Sequence, residues 1–348
     1  MESIYVMEPG SYLRREGSAL HVVKDGKVVD HIPAEGLKRL ILVGYINLTG
    51  AVLDFLIRRR VETVFMTPTG RFRARLGINE HRHVALRKAQ YQQLNDSGFA
   101  ARTAGLIVSG KICNMIHLLL LRGRQYDDQT LRNAAAGLRS IVNRLENAGD
   151  LDIIRGLEGA ATRIYFQCFG RLIRNDKFTF NGRNRRPPLD PVNALLSFVY
   201  TLLTNEVTSA ISACGLDPYM GALHEISYGR PSLACDLVEE YRAYLGDRLV
   251  LGLVNRKSVS PEDFIYRQPA KKSYADETEM KTGRPVEMRP PVRRAFLSAY
   301  EQMMKRTVGS GSETGATTYR WLIMSQVRAF GDYLQNPEKT YSPFVWDL

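Results

Sequence analysis

Apolar residues in the first seventy-six positions recur in short runs. Ile4-Tyr5-Val6, Ala19-Leu20-His21-Val22-Val23 and Lys27-Val28-Val29 are separated by Pro9-Gly10, Glu16-Gly17 and Asp25-Gly26. That alternation of apolar runs with turn formers predicts strands, and Asp25-Gly26 between two runs predicts a tight hairpin. One helix interrupts, from about Leu48 to Arg59. Strands return at Val61 to Met66 and Phe72 to Leu76, around a Thr67-Pro68-Thr69-Gly70 turn. Near Ile78 the pattern changes, and from His83 onward the apolar period is helical. Helices are expected through Leu121, over Gln129 to Glu146 and over Leu151 to Phe169. A loop rich in Arg, Asn and Pro, Asn181 to Pro191, precedes a helix running to Ala213. Gly215, Pro218 and Gly221 punctuate the next stretch, and Gly229-Arg230-Pro231 opens a helix from about Ser232 to Leu245. Lys271 to Pro291 reads as a polar, flexible insertion before final helices at Val292 to Arg306 and Thr318 to Tyr333. The expected fold class is α+β multidomain: a small, β-sandwich-like N-terminal domain over residues 1–78, then a larger all-α domain over residues 79–348.

A chain of 348 residues is long enough for two cores. Its 48 Lys+Arg against 36 Asp+Glu give a net charge of +12. Such an excess points to an anionic polymer as partner, nucleic acid or a membrane surface, against the plainer reading of a generally basic protein. Cys113, Cys168, Cys214 and Cys235 are scattered, which argues against a zinc clamp or a redox pair. No basic segment followed by an apolar run opens the chain, so no signal peptide is expected. The apolar stretch from Ile112 to Leu121 carries Asn114 and His117 and is expected to be too short to span a bilayer. These features place the chain, as an expectation, in the reducing cytoplasm.

Polar residues on apolar helical surfaces are the candidates for chemistry. Glu158 borders the stripe Ile154, Leu157, Ala161, Ile164 among small residues that allow close approach by a substrate. The alternative is a Glu paired along its helix with Arg155 or Arg163. His224 sits just before a turn, where a lone histidine can equally be structural. Asp236 and Glu239 lie one turn apart on one helix face, unless that face is a solvated acidic one, for which Glu240 is the better candidate. One imidazole and two or three carboxylates suit Mg²⁺ or Mn²⁺ rather than structural zinc, and such ions serve phosphoryl transfer. Arg163, Arg171, Arg174, Lys177, Arg183, Arg185 and Arg186, interleaved with Tyr165, Phe178 and Phe180, form a pattern suited to a nucleic-acid backbone.

The ordered motifs Glu158 to Phe166, Arg183-Asn184-Arg185-Arg186-Pro187-Pro188-Leu189-Asp190-Pro191 to Ser197, Gly215-Leu216-Asp217-Pro218, His224 and Gly229 to Glu240 closely resemble the CRISPR-associated integrase family, the nuclease-integrase of spacer acquisition in prokaryotic antiviral defence. Arg87-Lys88-Ala89-Gln90-Tyr91 and Lys111-Ile112-Cys113-Asn114 are similar to its linker-helix motifs, and Tyr319 to Phe344 to its C-terminal helix and tail. The resemblance implies a metal held by Glu158, His224 and Glu239. Asp236 would bind a second ion or orient a ligand. It also implies a homodimer through the N-terminal domains, and a heterohexamer of two such dimers bridged by a small ferredoxin-like partner dimer, with a trimming exonuclease as a further associate. The reaction implied is transesterification on double-stranded DNA. The 3′-hydroxyl of an incoming fragment attacks a phosphodiester at a repeat border, and the same site cleaves DNA, including branched DNA.

Arg183, Arg185 and Arg186 would then hold phosphates without reading sequence, unless they pair with Asp176 or Asp190. Tyr165 and Tyr200 are candidates either for contacts near the cleaved strand or for buried packing. Two rival readings compete. A membrane-surface protein needs a basic amphipathic helix that is not also needed for a core, and none is found. A non-catalytic nucleic-acid-binding scaffold accounts for the charge but not for acidic residues beside a phosphate-binding surface.

Overall fold

The computed structural model describes residues 2–67, 72–77, 83–184, 187–266, 286–308 and 317–347. The chain divides into two compact units, Met1–Arg82 and His83–Leu348.

The first unit carries β1 (Glu2–Val6), β2 (Tyr12–Glu16), β3 (Ala19–Lys24), β4 (Lys27–Pro33), β5 (Leu37–Val43), β6 (Asn47–Leu48), α1 (Gly50–Arg58), β7 (Glu62–Met66) and β8 (Phe72–Leu76). They form two four-stranded sheets, ordered β1-β5-β7-β8 and β4-β3-β2-β6. Leu13, Leu20, Val22 and Ile32 from one sheet meet Val6, Leu40 and Leu42 from the other, together with Val52 and Leu56 of α1, in one buried cluster. This is the sandwich-like arrangement the alternating pattern implied. Asp25 and Gly26, at φ 49° and 75°, close the hairpin between β3 and β4, the left-handed pair that a two-residue hairpin requires. Pro68, Thr69 and Gly70 of the expected turn before β8 lie outside the described residues.

The second unit is mainly helical: α2 (Val84–Asn95), α3 (Ser97–Gln125), α4 (Gln129–Leu145), α5 (Leu151–Phe169), α6 (Pro191–Ala213), α7 (Ser232–Leu237), α8 (Glu239–Tyr241), α9 (Arg248–Asn255), α10 (Pro290–Met304) and α11 (Tyr319–Gln335). Aspartates cap the main helices: Asp96, Asp128, Asp150 and Asp190 accept backbone N–H groups at the starts of α3, α4, α5 and α6. Two small hairpins qualify the all-α expectation: β9 (Phe264–Tyr266) with β10 (Val286–Met288), and β11 (Thr307–Val308) with β12 (Thr317–Thr318). The expected insertion therefore ends in ordered structure, since β10 and the start of α10 fall inside it. Its residues 271–285 lie outside the described ones.

Two helical expectations need correcting. At 29 residues, α3 is far longer than the Ile112–Leu121 stretch and long and apolar enough to cross a bilayer, as is α6. Most of each apolar window is buried inside the unit, so both have the packing of core helices. The helix expected over Ser232–Leu245 is instead α7, α8, a π-helical turn at Arg242–Asp247 and then α9. The wide turn falls where Gly246 packs on the Tyr200 ring; a Cβ there would lie 3.1 Å from the ring.

Candidate active site

Four elements of the second unit contribute to one cluster of polar side chains: α3, α5, the connection from α6 to α7, and α8. Asp236, wholly buried on α7, organises the connection. Its Oδ2 accepts the N–H groups of Ala222 at 2.6 Å and Leu223 at 3.0 Å; its Oδ1 accepts that of His224 at 3.0 Å. The same Oδ1 lies 2.6 Å from His224 Nδ1. A carboxylate on Nδ1 fixes the ring and leaves Nε2 as the ligand atom. The turn passes so close to α7 that a Cβ on Gly221 would stand 2.5 Å from Asp236 Oδ2 and 2.8 Å from the Leu233 nitrogen. Only glycine fits. Asp236 therefore holds the His224 ring in one orientation.

Glu158 on α5 pairs neither with Arg155 nor with Arg163. Its Oε1 meets the Lys111 ammonium from α3 and accepts Thr162 Oγ1 at 2.9 Å. Arg155 turns to Asp152 at 3.1 Å and to the Leu223 carbonyl at 2.9 Å. Glu239, 3% exposed, faces Lys111 Nζ at 2.8 Å through Oε2 and Arg242 Nη1 at 3.1 Å through Oε1. Burial pushes the Glu239 carboxyl up, but Arg242 and Lys111 outweigh it and hold the group at about 2, with His224 adding to their effect. At Glu158 burial again raises and Lys111 prevails, leaving the group below its ordinary value despite the neighbouring Glu239. Both carboxylates are therefore ionised at neutral pH.

Among the described residues no three His, Cys, Asp or Glu side chains stand in metal-holding geometry; the Lys111 ammonium lies between the two carboxylates instead. The chemistry of the donors still fits a divalent ion. Two ionised carboxylates and one oriented imidazole, with Glu158 open to solvent on one side, suit Mg²⁺ or Mn²⁺.

The expected DNA contacts separate. Arg163 is exposed on α5. Among the described contacts of its guanidinium, half-buried Arg183 pairs with neither Asp176 nor Asp190: Nη1 donates to Asn193 Oδ1 at 2.8 Å, Nη2 to Ser197 Oγ at 3.1 Å, and the guanidinium lies over the Tyr200 ring at 5.4 Å. Arg185 and Arg186 lie outside the described residues. Tyr165 and Tyr200 take the packing alternative, because both are buried and both donate to Asp247, each at 2.6 Å. Glu240 is not solvated. It is wholly buried, accepts Tyr341 Oη and the Phe344 N–H at 2.7 Å each, and is pushed up to about 8 by burial.

The family described as CRISPR associated protein Cas1 matches residues 4–302, most of the chain. The chain belongs to the Cas1 family. A relative from Chlorobaculum tepidum, named CRISPR-associated endonuclease Cas1 1, is 36% identical over 354 residues, which cover 99% of this chain and 98% of that protein. A Cas1 protein of known structure from Thermotoga maritima has a TM-score of 0.79 at 25% identity, covering 96% of this chain and 97% of that one. The same β-rich then helical architecture recurs there. A chain of a Cas6-RT-Cas1–Cas2 complex has a TM-score of 0.79 at 24% identity, over 99% of this chain and 36% of that longer one, and shares the fold.

Within this Cas1 fold, sequence reasoning gave no site role to three residues that build the site, Lys111, Arg242 and Gly221, nor to Asn193 beneath the basic loop. Lys111 left two signals, its place in a matched linker-helix motif and a lone charge inside the apolar run of α3. Asn193 accepts from Arg183 and from the Asn184 N–H, and donates to the Gly182 carbonyl and to Asp190. It knots the base of the arginine-rich loop, though its place inside a helix gave no hint of that.

Proposed function

We propose that this Cas1 family member is a divalent-metal-dependent DNA endonuclease and integrase that inserts short foreign fragments into a CRISPR array. The observation that carries the reading is the convergence of two buried or half-buried, ionised carboxylates, Glu158 and Glu239, with the oriented His224. Glu158, Glu239 and His224 Nε2 would hold the ion. When bound, a divalent ion there stabilises charge on the reacting phosphate and its leaving oxygen. The chain's own groups position the rest. Asp236 keeps the imidazole in one orientation, and Arg242 fixes Glu239 from the side away from Lys111. Arg163, with Arg185 and Arg186, would hold the DNA backbone. A fragment's 3′-hydroxyl attacks the repeat-border phosphodiester in line with the leaving 3′-oxygen. Water in its place gives cleavage, and the reverse reaction, in which the freed 3′-hydroxyl attacks the junction phosphate, resolves branched DNA and releases the fragment.

The partners proposed are double-stranded DNA, a second copy of the chain through residues 1–78, and a small ferredoxin-like partner dimer completing a heterohexamer, in the cytoplasm. A non-catalytic scaffold would leave the buried acid unexplained, since burying carboxylates near bound phosphate is unfavourable. Replacing Glu158, His224 or Glu239 by Ala should abolish Mn²⁺-dependent cleavage and strand joining while DNA binding persists. Full activity in Glu158→Ala would overturn the assignment.

A further inference from the structure

We infer that Lys111 is a resident cation of the proposed metal site, standing between Glu158 and Glu239 and leaving when a divalent ion enters. The inference rests on that site and adds a role for a residue outside its ligands. Lys111 is 3% exposed, in a helix whose neighbouring Val108, Ile112 and Met115 are core residues. An ammonium is buried in such a place only with compensating charge. Here the compensation comes from two other elements at once, Glu158 of α5 and Glu239 of α8.

The charges explain why one of the two nearby cations is displaceable. Lys111 and Arg242 together balance Glu158 and Glu239, so these four charges cancel without a metal and the two carboxylates are kept from repelling each other. A divalent ion sharing the same oxygens would face the ammonium at close range in a desolvated pocket, where repulsion is strong. Arg242 is anchored: its guanidinium lies 5.0 Å from the Tyr200 ring centre and binds the far oxygen of Glu239. Lys111 has a flexible four-carbon stem, and the pocket opens to solvent on the Glu158 side, where that side chain is 26% exposed. Lys111 therefore yields, and Arg242 stays. The exchange keeps the site assembled without metal, and it lowers metal affinity below what the donors alone would give.

Two measurements test this. In folded Lys111→Met, Mn²⁺ followed by electron paramagnetic resonance should bind roughly tenfold or more tightly than in the wild type. The variant's unfolding midpoint should fall in chelator, and Mn²⁺ should raise it further than it raises the wild type's. Equal or weaker Mn²⁺ binding by the folded variant overturns the inference. In the wild type, acylation by an amine-reactive ester read by mass spectrometry should find Lys111 protected in chelator and labelled faster with saturating Mn²⁺. This second readout decides the matter if the variant does not fold. Bound Mn²⁺ with Lys111 still protected sinks the displacement while leaving the metal site standing. A wild type that binds no Mn²⁺ removes both.

Discussion

Asp247 is the buried acid whose charge state has the clearest consequence. It is 1% exposed, receives hydrogen bonds from Tyr165 and Tyr200, and is pushed by burial from 3.8 to about 6. The folded protein thus holds this proton up to about pH 6, whereas the unfolded chain releases it near pH 4. Between those values the native state binds more protons, so stability from this group falls as pH rises through the window and is level above it. Asp247→Asn removes the titration. Denaturant unfolding of both proteins should show the variant gaining on the wild type from about pH 4 to 6, by roughly 3 kcal/mol at most. A constant difference across that range would show that Asp247 is already ionised in the folded state at low pH. The same site teaches a second lesson about single residues: Tyr165 and Tyr200 have the composition of a stacking surface, yet their hydroxyls point to a buried carboxylate.

Helix α6 positions the basic loop through its first turn. Asp190 caps the helix by accepting the Asn193 N–H at 2.8 Å, a role legible from the Asp-Pro start. Asn193 then ties back Gly182, Arg183 and Asn184, so the loop's base is held by one wholly buried amide. Asn193→Ala leaves those partners unsatisfied, at a cost of roughly 1–3 kcal/mol. It should raise amide exchange at residues 182–184 and weaken DNA binding, without changing Mn²⁺ affinity. Unchanged exchange there would mean that other contacts hold the loop. The break between α7 and α9 has no such local signature. A π-helical turn needs only one residue out of register, and neither Glu239 nor Asp247 marks it in the sequence.

At the scale of the molecule, the first unit exposes Val28, Val29, Tyr45, Leu53 and Ile57. Apolar groups left uncovered on so small a unit suit a protein partner, which supports the proposed homodimer through residues 1–78. Light scattering on a fragment starting at His83 should give a monomer where the full chain gives a dimer. A dimeric, folded fragment would place the interface on the second unit. The net charge of +12 belongs to this scale too, because it would attract the proposed DNA partner as a whole and says nothing about which arginines touch it.

Local chemistry determined what could be read without coordinates. Alternation and Asp25-Gly26 dictate the hairpin of β3 and β4, since only that pair takes two left-handed residues cheaply. Aspartates at positions 128, 150 and 190 stand where expected helices begin, because a carboxylate there accepts hydrogen bonds from the unpaired backbone N–H groups of the first turn. Ordered motifs singled out Glu158, His224 and Glu239. Tertiary structure decided what each charge faces. Lys111 and Glu158 are 47 residues apart, Arg183 turns into its own unit, and Glu240 is buried while its neighbour Glu239 serves the site. Pairing across that distance depends on how helices pack, and no periodicity within one helix records which partner the next one brings.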